Sequence, residues 1–153
     1  MYLSNERYEK IKREIYYLFS DYGISVFPID IIYLCQQMNI KLVAYSTLSS
    51  KKKAEILKIS SDGFSYFDNT NWKGYIIYYN DEGVSEQRQR FTIMHEIGHI
   101  VLEHNEDTIY ELAESEANFF ARNALAPIPI VLIKEIVDKF EVSDTFNISL
   151  ECA

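Results

Sequence analysis

Tyr8, Ile11, Ile15, Leu18 and Phe19 recur at helical spacing, with Glu, Lys and Arg between them. The pattern predicts an amphipathic helix over residues 5–21, stopped near Gly23. Beyond Phe27-Pro28 a second helix is expected from Ile29 to Met38, and Ile40-Lys41-Leu42-Val43-Ala44-Tyr45 reads as a strand. Residues 48–58 fit either a short helix or a surface loop. Asp62-Gly63 signals a turn, and the aromatic and β-branched runs at 64–67 and 74–79 predict a hairpin joined through Asp68-Asn69-Thr70-Asn71. After a turn at Asn80-Asp81-Glu82-Gly83, a long helix is expected from about Ser85 to His104. Another follows from about Thr108 to Ala124 and closes at Pro127-Ile128-Pro129, with a last helix from Val131 to Phe140 before a polar tail.

No internal repeat or low-complexity linker interrupts this order, so the expected fold class is α+β, a small antiparallel sheet flanked by helices. At 153 residues the chain suits one domain, 1–153, with enough length to bury a core. The segment from Ile93 to Leu102 is apolar almost all round. A helix of that kind is buried on most sides and belongs at the centre of the fold.

Composition narrows the function classes. Apolar residues make up 48% and charged residues 25%, the balance of a globular protein. Twelve Tyr and nine Phe imply that several tyrosines pack the ring and leave the hydroxyl wet. A net charge of −8 argues against direct nucleic-acid binding, which draws on a concentrated basic surface. The one basic run, Lys51-Lys52-Lys53, reads as a solvated helix face. Cys35 and Cys152 belong to no paired motif, which argues against a disulfide framework and for the cytoplasm. The start runs straight into a charged amphipathic segment, and no window reaches the apolar length of a membrane span.

Chemistry concentrates in His95-Glu96-Ile97-Gly98-His99, the HExxH pattern. Residues four apart on a helix share a face, so both imidazoles can reach one metal ion. Glu96 then stands beside the open side of that ion, where it can take a proton from a water. The competing view is two core histidines near an ion-paired glutamate. Polar groups on an apolar helix need partners, however, and a metal serves both rings. A catalytic zinc usually takes a third protein ligand, for which Glu111, Glu114 and Glu116 are the candidates on the next helix. Glu114 ranks first because Asn118, four residues on, shares its face and can hold the outer nitrogen of a ligand histidine. Glu116 would then point to solvent. His104 is expected to be a surface histidine at a helix end, with an assisting role as the alternative.

The run from Phe91 to Leu102, then Glu114-Ser115-Glu116-Ala117-Asn118-Phe119-Phe120-Ala121, then Ala124-Leu125-Ala126-Pro127, resembles the ImmA/IrrE family of metallopeptidases. The match is strong over about residues 72–129. The resemblance implies a zincin-like fold and a zinc endopeptidase of the gluzincin type. Its substrate would be a helix-turn-helix repressor of a mobile element or stress response. Carried over, the metal ligands are His95, His99 and Glu114, with Glu96 as general base. Two departures stand out. Ala124-Leu125-Ala126-Pro127 replaces the family's Leu-Leu-x-Pro, a packing change. Only ten residues follow Phe140-Glu141-Val142-Ser143, where relatives commonly continue into further helices, so the chain reads as a natural short form or a truncated piece.

Substrate binding is less legible. Gly74 to Asn80 could be an exposed edge strand that pairs with an extended peptide, or an ordinary hairpin strand. One of Tyr75, Tyr78 or Tyr79 could donate to a developing oxyanion, and no spacing rule selects among them. Two rival readings are a metal-binding module that regulates a partner without cutting it, and a DNA-binding regulator built around residues 137–149. The intact Glu96 opposes the first and the acidic charge the second. A nitrogen-rich ligand set leans to Zn²⁺ over manganese.

Overall fold

In a computed structural model the structure describes residues 2–127, 139–149 and 152. The first helix, α1 (Asn5–Tyr22), starts where Ser4 accepts from the Arg7 N–H and stops at Gly23, whose φ of 64° closes the last turn. Its buried face is Ile11, Ile15 and Leu18, the helical spacing seen in the sequence. Helix α2 (Ile31–Gln37) is capped by Asp30 and buries Ile31, Leu34 and Cys35. Strand β1 spans Lys41–Ala44, and a short 3-10 turn over Tyr45–Thr47 leads to α3 (Ser50–Ile59), so the segment left open between helix and loop is helical. Strands β2 (Gly63–Asp68) and β3 (Gly74–Tyr79) form the expected hairpin. Asp68 organises its turn by accepting from the backbone N–H groups of Thr70, Asn71 and Trp72, which hold its carboxyl down to about 2.

The sheet differs from expectation in two respects. Its order is β1-β3-β2, with β2 and β3 antiparallel but β1 and β3 parallel, so it is mixed. A parallel pair needs a crossover of a dozen residues or more, and the stretch through α3 and β2 provides it. Strand β3 is therefore central and cannot be the edge that receives a peptide. Among the described residues the unpaired outer edges belong to β1 and β2, and it is β2 that begins at the cleft described below.

Two long helices follow the sheet. Helix α4 (Glu86–Val101) is capped by Ser85, and α5 (Tyr110–Leu125) packs against it. Ile93, Met94 and Ile97 turn one face of α4 into the core, where they join Ile77, Phe120, Ala121, Ala124 and Leu125. Gly98 sets how closely the two helices approach: a Cβ there would stand 3.0–3.1 Å from the Phe120 side chain. Helix α6 (Lys139–Phe146) closes the other side of the core through Val142 and Phe146, and α1 packs on α5. The helix expected over 131–140 lies almost wholly outside the described residues. Among the described residues no helix is long and apolar enough to cross a membrane.

Candidate metal centre

Helix α4 carries His95 and His99 on the face turned toward α5, and α5 returns Glu114 to meet them. The His95 and His99 Nε2 atoms lie 3.0 Å apart. Glu114 Oε1 is 3.0 Å from His99 Nε2, and its Oε2 is 3.3 Å from His95 Nε2. Ligand atoms held 2.0–2.2 Å from one tetrahedral zinc stand about 3.3–3.5 Å apart, so these side chains already have nearly that spacing. The chemistry of the donor set agrees. Burial, and next the neighbouring His95, hold the His99 imidazole well below its ordinary pKa. Two imidazole Nε2 atoms and a carboxylate converge there, an arrangement that a cation satisfies.

The outer nitrogens are also engaged. His95 Nδ1 is 2.8 Å from Asn118 Oδ1, so in the tautomer that frees Nε2 its Nδ1–H donates to Asn118. His99 Nδ1 lies 2.8 Å from Nδ1 of His104. This corrects the expectation of a surface histidine on an extended helix. Helix α4 ends at Val101, Glu103 takes a φ of 57°, and the chain folds back so that His104 N–H donates to the His99 carbonyl. The His104 side chain is only 8% exposed.

Glu96 is buried and lies beside this cluster, where Ser65 of β2 donates from Oγ to its Oε2 at 3.0 Å. Burial pushes its carboxyl up to about 7; Ser65 opposes the shift and the Glu114 charge adds to it. Among the other carboxylates, Glu111 is exposed and outside the cluster. Glu116 does not point to solvent as expected. It is 4% exposed and accepts from Arg7 of α1 at 2.9 Å, because α1 packs over that side of α5.

An open cleft of about 1060 Å³ runs past the site, lined among others by Gly63, Phe64, Arg88, His95, Glu96, Tyr110, Glu114 and Arg122. Tyr75, Tyr78 and Tyr79 do not line it. Tyr78 instead stacks on Phe64, with ring centroids 5.2 Å apart, on the sheet face turned away from Ser65. Tyr110 is the tyrosine at the cleft, one helical turn before Glu114. Sequence reasoning missed Ser65, Tyr110 and Arg7. For Ser65 a signal existed: it is the lone small polar residue in an aromatic strand, flanked by Phe64 and Tyr66. Gly63 is required where it stands, since a Cβ would fall 2.5 Å from the Tyr78 carbonyl oxygen and 2.8 Å from Thr92 Cγ2.

Two histidines on one buried helix, a carboxylate returned by the next and a buried glutamate between cleft and sheet define the HExxH class of metallopeptidases. The chain belongs to the Peptidase M78 family: the model of its IrrE N-terminal-like domain matches residues 20–152. No curated protein gives a significant match. Among solved structures, the chain is similar to a Mycobacterium tuberculosis transcriptional regulator at 13% identity and a TM-score of 0.62. That similarity covers 94% of this chain and 44% of the regulator, so the chain spans less than half the length of its structural relative, and the likeness is one of fold.

Proposed function

We propose that this chain is a zinc-dependent endopeptidase that hydrolyses a peptide bond in a protein substrate. The observation that carries the reading is the meeting of three lone-pair donors, His95, His99 and Glu114, beside the buried Glu96 at an open cleft. We assign the metal to those three side chains, with Asn118 fixing the ring of His95. When bound, zinc would polarise the scissile carbonyl and bring the pKa of a water to about 7.

Glu96 performs the proton traffic in this reading. Its carboxylate takes a proton from the attacking water and returns it to the leaving amine. Ser65 holds one carboxylate oxygen, leaving the other free to move that proton. Substrate is expected to lie extended along the outer edge of β2, which begins at the cleft and offers unpaired backbone groups.

The substrate we infer is a helix-turn-helix repressor of a mobile element or stress response. The resemblance to the ImmA/IrrE peptidases supports this choice, and the structurally similar mycobacterial chain is itself described as a transcriptional regulator. The cytoplasm is the compartment where such a substrate would be met.

The test measures metal content by mass spectrometry on wild-type and Glu114→Ala protein purified without added metal. Cleavage of repressors encoded nearby is then followed with wild type and Glu96→Gln. About one zinc per chain, lost with Glu114, and cleavage lost with Glu96 are the expected results. Wild type that takes up no zinc sinks the peptidase reading. Zinc binding with a function indifferent to Glu96→Gln would point instead to a regulatory module that does not cut.

A further inference from the structure

His99 is held by a chain of side chains that no sequence pattern joins. Its Nδ1 meets His104 Nδ1 at 2.8 Å; His104 Nε2 lies 3.5 Å from Glu116 Oε1, and Arg7 NH1 donates to that same oxygen at 2.9 Å. The direction of the chain follows from proton counting. One proton sits between the two Nδ1 atoms. If His99 presents the Nε2 lone pair to a metal, its ring proton is on Nδ1, so His99 donates and His104 accepts. His104 must then carry its own proton on Nε2, a buried atom with no hydrogen-bond partner and with Glu116 in front of it. Glu116 is 4% exposed, and Arg7 places the opposite charge against it.

The backbone makes the same arrangement. Glu103 N–H donates to the Ile100 carbonyl at 3.2 Å and His104 N–H to that of His99 at 3.0 Å, the paired bonds of a Schellman turn. The turn that ends α4 thereby brings the His104 ring back onto His99. Arg7 lies on α1, ahead of the matched family segment, which begins at residue 20. The first helix thus contributes a charge to the centre from outside the stretch that carries the motifs.

We propose that His104, Glu116 and Arg7 are positioning residues for the metal centre: they fix the ring and tautomer of His99, and Arg7 ties the N-terminal helix to the site. This rests on the assignment of His95, His99 and Glu114 as ligands. It gives Glu116 and His104 definite roles in place of the solvent-facing ones expected from sequence. It also makes α1 part of the centre as well as a wall of the core.

The test uses the full chain stripped of metal. Zinc affinity is measured against a competing chelator, and the visible spectrum is recorded with cobalt(II) in place of zinc. Glu116→Gln removes the charge while keeping the shape and is expected to weaken zinc about 10–100-fold, the usual cost of losing such a partner. It should also shift the cobalt bands, which report ligand geometry and which a merely structural role would leave in place. Should Glu116→Gln fold poorly by circular dichroism, Arg7→Ala decides, since the Arg7 side chain is 45% exposed and its loss is tolerable. Arg7→Ala should weaken zinc in the same direction and Arg7→Lys should recover most of it. Arg13→Ala, an exposed change on the same helix, should do nothing. Wild type that binds zinc, with Glu116→Gln and Arg7→Ala unaltered in affinity and cobalt spectrum, overturns this proposal alone. Wild type that binds neither metal overturns the ligand assignment together with it.

Discussion

The two histidines at the centre of this chain are supported in different ways. His95 leans on one residue, Asn118, one helical turn beyond Glu114 on α5, so a single helix provides the carboxylate and the support. His99 leans on His104 from the turn after α4, then on Glu116 of α5 and Arg7 of α1. The first support depends only on how α4 and α5 pack, a spacing set by Gly98 against Phe120. The second also needs α1 in place. In the proposed centre one support is local and the other tertiary, and the tertiary one would couple the fold of the N-terminal region to metal binding.

The largest effect is expected from a residue on neither side. Glu96→Gln should lower peptide hydrolysis by about 10²–10⁴-fold, the range for a lost general base, with metal content unchanged. A matching loss of metal would mean that Glu96 belongs to the ligand set and that the comparison of two supports omits a third. The metal-free variant gives a second readout. The Glu96 carboxyl, with an ordinary value of 4.5, is pushed up to about 7 in the folded chain. Its contribution to stability is therefore full below about 4.5 and lost as pH rises through about 7. Glutamine carries no such dependence. Chemical denaturation should show metal-free Glu96→Gln gaining on wild type between pH 5 and pH 8, by at most about 3 kcal/mol. A difference that does not grow with pH would show that the carboxyl is not held neutral by its burial.

Asn118→Ala tests the local side. It should weaken zinc about 10–100-fold. Combined with Arg7→Ala, the losses in binding free energy should add to within about 0.5 kcal/mol, as they do for sites that share no partner. A larger coupling in the double-mutant cycle would show that the two histidines are held as one unit.

That contrast also marks how far the sequence could be read. His95, Glu96, His99, Glu114 and Asn118 all follow from spacings of one to four residues on two helices, where the 3.6-residue period decides which side chains share a face. The hairpin and the helices α1, α2, α4 and α5 are legible for the same reason, a short-range spacing. Arg7 and Glu116 are 109 residues apart, and no local rule joins them. Glu116 looked solvent-facing because a helical carboxylate usually is, and only the packing of α1 on α5 removes it from water. The central place of β3 was hidden likewise: the hairpin is local, whereas the parallel pairing of β1 requires a crossover the sequence does not announce. The place of His104 differs from the expected one for a more local reason. Continuing α4 for three residues past Val101 put on the surface a ring that the left-handed Glu103 turns inward.

That turn offers the finest test of the tertiary side. Glu103 holds a φ of 57°, which costs an L-residue with a Cβ roughly 1–2 kcal/mol and glycine far less. Part of the gain from Glu103→Gly is offset by the greater freedom of glycine in the unfolded chain, so the net stabilisation should be about 1 kcal/mol or less. In a thermal melt of the metal-free protein that is a rise of about 2–4 °C. Zinc affinity should not change, because what holds His104 against His99 is the backbone pair of the Schellman turn, which glycine preserves. A variant that melts higher but binds zinc more weakly would mean that the Glu103 side chain takes part in orienting His104, and the tertiary support would then include a fourth residue.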